Sequence, residues 1–287
     1  MLQKLILISA MTLALFLFSC DENNLTESKN EKVDFTTGSS VSNPNQVLID
    51  DAGIIHNAVC QDMLDNYDDD LSTSSEISDA FDQIDTYMDA QYSLGSAGLS
   101  IRSWANDLIL NVNMDSDLND DVDDIMADIN IQLVFSSAER QIIEDARIYL
   151  ASLPDMNVDQ ITQRNLIVNK ADQLLSQLNA LTKTKTTDGD LAGPYLQIMK
   201  SSAQFWYSTY DDLNLLETRK NVSRPQFFIF AAVAIGIVAQ ADAAGYIVGW
   251  GKAYYDDVDS GVDSGSNARI GKGLDGAIIG SLGRVLI

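Results

Sequence analysis

Apolar residues recur along most of this chain every three or four positions, the spacing that gathers them on one face of an α-helix. Ile55, Val59 and Met63 share such a face within residues 46–67, with His56 and Cys60 on a neighbouring one. Thr73-x-x-Glu76 reads as a capping box, and Ile77, Phe81, Ile84 and Met88 follow it at helical spacing. Gly95 and Gly98 break that element, and residues 101–112 predict a short helix around Trp104. Residues 115–133 start acidic, as suits a helix N-terminus, and turn apolar later. A second capping box, Ser136-x-x-Glu139, precedes a stripe of Ile142, Ala146 and Leu150 that Pro154 ends.

The strongest helical seam comes next. Asn157, with Gln160 three residues on, predicts the start of a long helix carrying Ile167, Ala171, Leu174, Leu178 and Leu181. Residues 182–190 read as a polar loop. Pro194 then falls in the first turn of a helix, where a missing N–H costs little, and the stripe is Tyr195, Met199, Ser202, Trp206 and Leu213.

Residues 227–251 depart from this amphipathic pattern. They read FFIFAAVAIGIVAQADAAGYIVGWG, apolar on every face. Three readings are open: a membrane span, a buried core helix, or one arm of a concealed membrane-active hairpin. Gln240 and Asp242 interrupt the first reading. The second needs a partner for each of them. In the third, residues 271–287 supply the other arm, with Gly245-x-x-x-Gly249 and Gly276-x-x-x-Gly280 giving close contact. Eleven of the 17 glycines lie beyond residue 235, so backbones are expected to approach closely there. Residues 254–267 between the two arms read as an acidic loop.

Together these patterns predict an all-α fold, a single multi-helix bundle of about seven to nine helices with a glycine-rich apolar C-terminal helical hairpin. The N-terminus adds an address. Lys4 precedes an uncharged apolar run over residues 5–18, the form of a secretory leader, and the run ends in Leu17-Phe18-Ser19-Cys20, which looks like a bacterial lipobox. The expected organisation is therefore a lipoprotein signal peptide over 1–19, lipidated Cys20 with a disordered tether over 20–45, and an all-α domain over 46–287. The tether is polar and carries too little apolar surface to fold. Its first residues after Cys20, Asp21-Glu22, resemble the sorting signal of Bacteroidetes-type surface lipoproteins; in enteric bacteria an aspartate there would instead retain the protein in the inner membrane, and the start of a polar tether is the plain alternative. The expected location is the cell envelope, at the outer membrane and exposed on its surface.

Charge narrows the partners. Lys and Arg number 18 against 42 Asp and Glu, a net charge of −24. So acidic a chain repels phosphate backbones, which excludes nucleic acid. The expected contacts are the membrane, through the lipid on Cys20, and a protein or small-molecule partner that the sequence does not identify. With Cys20 acylated, Cys60 has no disulfide partner, and no cysteine-pair metal site exists. Asp115-x-Asp117-x-Asn119 opens like a calcium loop but lacks glycine at the sixth position and an acid at the twelfth. No metal and no cofactor are expected.

The only histidine lies in Gly53-x-x-His56-Asn57, and Cys60 follows one turn later. A Cys–His couple is a candidate for chemistry, and a hydrogen-bonded histidine at a helix contact is the alternative. No nucleophile motif accompanies the pair. Gly53-x-x-His56-Asn57 near the start of the domain, with Ala241-Asp242-Ala243-Ala244-Gly245 near its end, resembles a set of secreted lipoproteins of Bacteroidetes type. The tail is also similar to the glycine-zipper segments of bacteriocins. The first resemblance carries no activity. On these grounds a non-enzymatic envelope lipoprotein with a binding or scaffolding role is expected. A membrane-active, bacteriocin-like effector is the alternative, and an enzyme using His56 comes last. The candidate residues are Gly53, His56, Asn57, Cys60 and Asp242 in the domain and Cys20 for lipidation.

Overall fold

Side-chain caps fix where several helices begin. Thr73, Asp128, Ser136 and Asp159 each accept a hydrogen bond from a backbone N–H of the turn they precede, which satisfies donors that the helix itself cannot. The computed structural model describes residues 43–67, 73–94, 99–110, 114–153, 158–183, 185, 187–218 and 235–285; of 114–117, 129, 210–218 and 283–285 only the backbone is described. The described helices all lie within residues 40–287.

Ten helices and no strand occur among the described residues, an all-α multi-helix bundle. They are α1 (Gln46–Asn66), α2 (Ser74–Tyr92), α3 (Leu99–Ile109), α4 (Met114–Ala127), α5 (Ile129–Val134), α6 (Ser137–Ser152), α7 (Gln160–Ala180), α8 (Ala192–Thr218), α9 (Ile235–Ser260) and α10 (Ser266–Val285). The stripes of α2, α6 and α7 named from sequence are buried, except that Leu181, the residue that ends α7, is only half-buried.

Several boundaries differ from expectation, each for a local reason. Residues 115–133 are two helices, because Asp128 takes an extended backbone and caps α5. The long seam helix starts after Asp159 rather than Asn157, which lies outside the described residues; Asp159 Oδ1 accepts from Thr162 N at 2.7 Å. Helix α9 continues through residues 254–260, and α10 begins at Ser266, so the loop between them is only 261–265. Gly261 and Gly265 make that short turn possible with φ of 66° and 82°. Residues 219–234, including the start of the apolar stretch, lie outside the described residues. The folded part also begins before 46: Asn43 and Asn45 are buried.

Helix α9 is the centre. From Ile235 to Ala253 only Ile237, Gln240 and Lys252 are not fully buried, as befits a helix apolar all round. It packs on α10, α8 and α4. No helix among the described residues is long and apolar enough to cross a membrane. The contact with α10 runs antiparallel and is backbone-close: Gly245 lies against Gly276, Gly249 against Lys272, and Ala241 against Gly280.

Candidate functional site

One polar group sits where α1, α8, α9 and α10 meet. Asp242 of α9 is wholly buried. Ser202 Oγ donates to its Oδ2 at 2.5 Å, and Trp206 Nε1 donates to the same oxygen at 3.2 Å; both come from α8. Ser281 of α10 donates to Oδ1 and itself accepts from Trp206 Nε1 at 3.1 Å. His56 Nε2, from α1, stands 3.4 Å from Oδ2. Each carboxylate oxygen is thereby partnered, which an acid in an apolar core requires. Burial pushes the Asp242 carboxyl up, while His56, Ser202, Ser281 and Trp206 pull against that rise.

The sequence places these groups by leaving out a side chain. A Cβ on Gly53 would stand 2.2 Å from Ser201 Oγ and 2.5 Å from the Gln197 carbonyl, so only glycine lets α1 come this close to α8. One turn on, Asn57 Nδ2 donates to the Ser201 carbonyl at 3.0 Å. Its Oδ1 therefore faces His56 Nδ1, 3.0 Å away, and an amide oxygen only accepts. Nδ1 carries a proton, and Nε2 faces Asp242. The Gly53-x-x-His56-Asn57 motif is thus a docking unit: the glycine allows approach, the asparagine fixes register, and the histidine reaches the acid.

Cys60 Sγ lies 3.6 Å from His56 Nε2. The order Cys60–His56–Asn57 is that of a thiol nucleophile, its base and the base's orienter. Two facts oppose that use. The thiol is fully buried, and burial first, then the Asp242 charge, raises its pKa well above the ordinary value, against the thiolate that chemistry needs. Moreover Ser281 and Asp242 crowd the same nitrogen, Nε2, leaving no place for a substrate atom. The structure brings Gly53, His56, Asn57, Cys60 and Asp242 into one cluster. Cys20 lies outside the described residues.

A second polar group, which the sequence reading missed, surrounds the turn before α8. Asp190 accepts from Asn43 Nδ2 at 2.7 Å, from Asn45 Nδ2 at 3.2 Å and from Ser266 Oγ. Its carbonyl accepts from Tyr246 OH at 2.8 Å. Beside it, Glu139 does not complete its own capping box. Ser136 Oγ accepts from Glu139 N at 3.1 Å, but the carboxylate turns to the next helix over, where Oε1 accepts from Gly189 N at 3.2 Å and Ala192 N at 3.1 Å. Burial raises its pKa from an ordinary 4.5 to about 7, the amides at 192, 189 and 191 pull it down, and Asp188 pushes it up. The capping-box pattern was a signal that this acid mattered; its target was not readable, because the target is 50 residues away in sequence.

Glu139 also lines a cavity of about 120 Å³ bounded by α1, α6, α7, α8 and the loop between the last two. No group of three or more metal-ligating side chains occurs among the described residues. Comparison with protein-family models, with curated proteins and with solved structures returned no match to this chain.

Proposed function

We propose that this chain is a non-enzymatic lipoprotein of the bacterial cell envelope, anchored through acyl chains on Cys20, whose helical domain binds or scaffolds a partner at the surface. One observation carries the non-enzymatic half. The imidazole, thiol and carboxylate that chemistry would use are sealed together in the core and spend their polar atoms on each other. Groups arranged in this way hold helices in register rather than meet a substrate. The anchoring half rests on the leader and the Leu17-Phe18-Ser19-Cys20 ending.

The membrane-active alternative requires α9 to leave the bundle. That would strip Asp242 of Ser202, Trp206, Ser281 and His56 and place it in lipid at a cost of about 3 kcal/mol or more. The packing therefore favours a tail that stays in the domain.

The test uses the full chain in a bacterial host fed labelled palmitate. The natural chain should take up label and sediment with membranes; Cys20→Ala should do neither. Unlabelled natural chain, or a Cys20→Ala chain that still sediments, would sink the anchoring. Dye release from phospholipid vesicles by the purified protein would favour the effector instead.

A further inference from the structure

The cavity beside Glu139 has two kinds of wall. Leu175 and Leu178 of α7 give it an apolar side, while Asp50, Glu139, Asp188 and Lys183 give it a charged one. Glu139 is 1% exposed, and although its Oε1 is taken by the amides of Gly189 and Ala192, its Oε2 has no hydrogen-bond partner among the described residues. A buried carboxylate oxygen without a donor is costly. A ligand that supplies the donor removes that cost.

We propose that this cavity binds a small primary alkylammonium ion, its nitrogen donating to Glu139 Oε2 and its alkyl chain lying along Leu175 and Leu178. The charge balance selects a cation. Three carboxylates face one lysine, and Lys183 Nζ already donates to Gln46 Oε1 at 2.7 Å. The amides at the start of α8 meet the Glu139 carboxylate through Oε1 and leave Oε2 as its open acceptor. Size selects the chain length. A dry cavity of about 150 Å³ accommodates benzene, so 120 Å³ suits roughly five non-hydrogen atoms, the count of n-butylammonium. The proposal deepens the binding role given above and rests on it for its biological setting.

Calorimetry of the full-length chain in detergent micelles at about pH 8.5, where Glu139 with its pKa of about 7 is ionised, compares n-butylammonium chloride with 1-butanol. The alcohol has the same chain and no charge. It should bind at least tenfold more weakly. Glu139→Gln keeps an oxygen for the α8 amides and removes the charge, and should weaken n-butylammonium at least tenfold. Equal binding of 1-butanol, unchanged binding to folded Glu139→Gln, or no n-butylammonium binding at all would overturn the site. Should Glu139→Gln fail to fold, the comparison of the two ligands on the natural chain decides alone. Failure here with Cys20-dependent anchoring intact removes the ligand and leaves the envelope role. Lost anchoring with n-butylammonium binding intact does the reverse.

Discussion

Gly245 on α9 and Gly276 on α10 meet backbone to backbone: a Cβ built on either would stand 2.2 Å from the other's carbonyl oxygen. No side chain can fill that space without moving a helix. The contact also sets the polar centre, since Asp242 lies one turn before Gly245 on α9 and Ser281 just over one turn after Gly276 on α10. Splaying the pair would pull the Ser281 hydroxyl from its acceptor. Gly245→Ala should therefore cost more than overpacking alone, about 2–4 kcal/mol, even after the gain of up to about 1 kcal/mol in helix propensity. Gly236→Ala on the same helix is the control, because its Cβ would meet side chains alone, the nearest atom being Leu153 Cδ1 at 3.3 Å. Urea unfolding should rank Gly245→Ala far below Gly236→Ala. Equal stabilities would mean the helices do not touch in this way.

The Asp242 cluster makes a second prediction. Asp242→Ala deletes the acceptor for Ser202 and Ser281, and one of two for Trp206, inside an apolar core. Leaving buried donors unpaired and a facing histidine without its acid should cost about 3–5 kcal/mol. Asp242→Asn keeps the shape and one acceptor oxygen and should lose clearly less. Thermal melts of the two variants decide it. An Asp242→Ala protein as stable as the natural chain would show that the cluster is not what joins these four helices.

Glu139 gives a third, with a definite sign in pH. Its folded pKa of about 7 lies above an unfolded value near 4.5, so the folded state holds the proton more tightly. Stability from this group is greatest below pH 4.5, falls as pH rises to 7, and is level above. The full penalty is about 3 kcal/mol. Glu139→Gln cannot ionise and escapes it. Between pH 5 and pH 8 the variant should gain about 2–3 kcal/mol relative to the natural chain in urea unfolding. A difference that does not change with pH would place the Glu139 titration elsewhere.

What the sequence made legible was mostly periodic. The buried stripes of α2, α6 and α7 follow from 3–4 spacing alone, and the capping threonine and serine at 73 and 136 mark real helix starts. Glycine clustering pointed to close backbones near Gly245 and Gly276. Less legible was anything that depends on which helices become neighbours. Ser202 read as one position in a stripe, and Ser281 drew no notice, because a serine's role depends on the acid it faces across the bundle. Polar composition likewise hid the continuation of α9 through Tyr254 and Tyr255. Tyr254 stacks on Trp250 at 5.7 Å, and the Arg269 guanidinium of α10 lies 5.5 Å from the Tyr254 ring. A tertiary contact there outweighs the weak local preference.

Asp190 yields the last prediction, about how the chain enters the domain. One carboxylate ties together three places: Asn43 and Asn45 just before α1, the turn before α8 that contains it, and Ser266 at the start of α10. Burial pushes its pKa up, and the bonds from Ser266, Asn43 and Asn45 pull it down. Asp190→Ala takes the acceptor from the buried Asn45 amide, worth about 1–3 kcal/mol, and leaves Asn43 Nδ2 only the Asp188 carbonyl, at 3.1 Å. The loss should be local, because Glu139 still holds the turn from its other side and the seam of α7 is untouched. Hydrogen exchange should therefore quicken at least tenfold in the first turns of α1 and α10, one tenfold step per about 1.4 kcal/mol, and stay unchanged at Ala171 and Leu174 in α7. Uniform acceleration would make Asp190 a generic stability residue. No acceleration at Gln46–Asp50 would mean the N-terminal segment is held by something other than this acid.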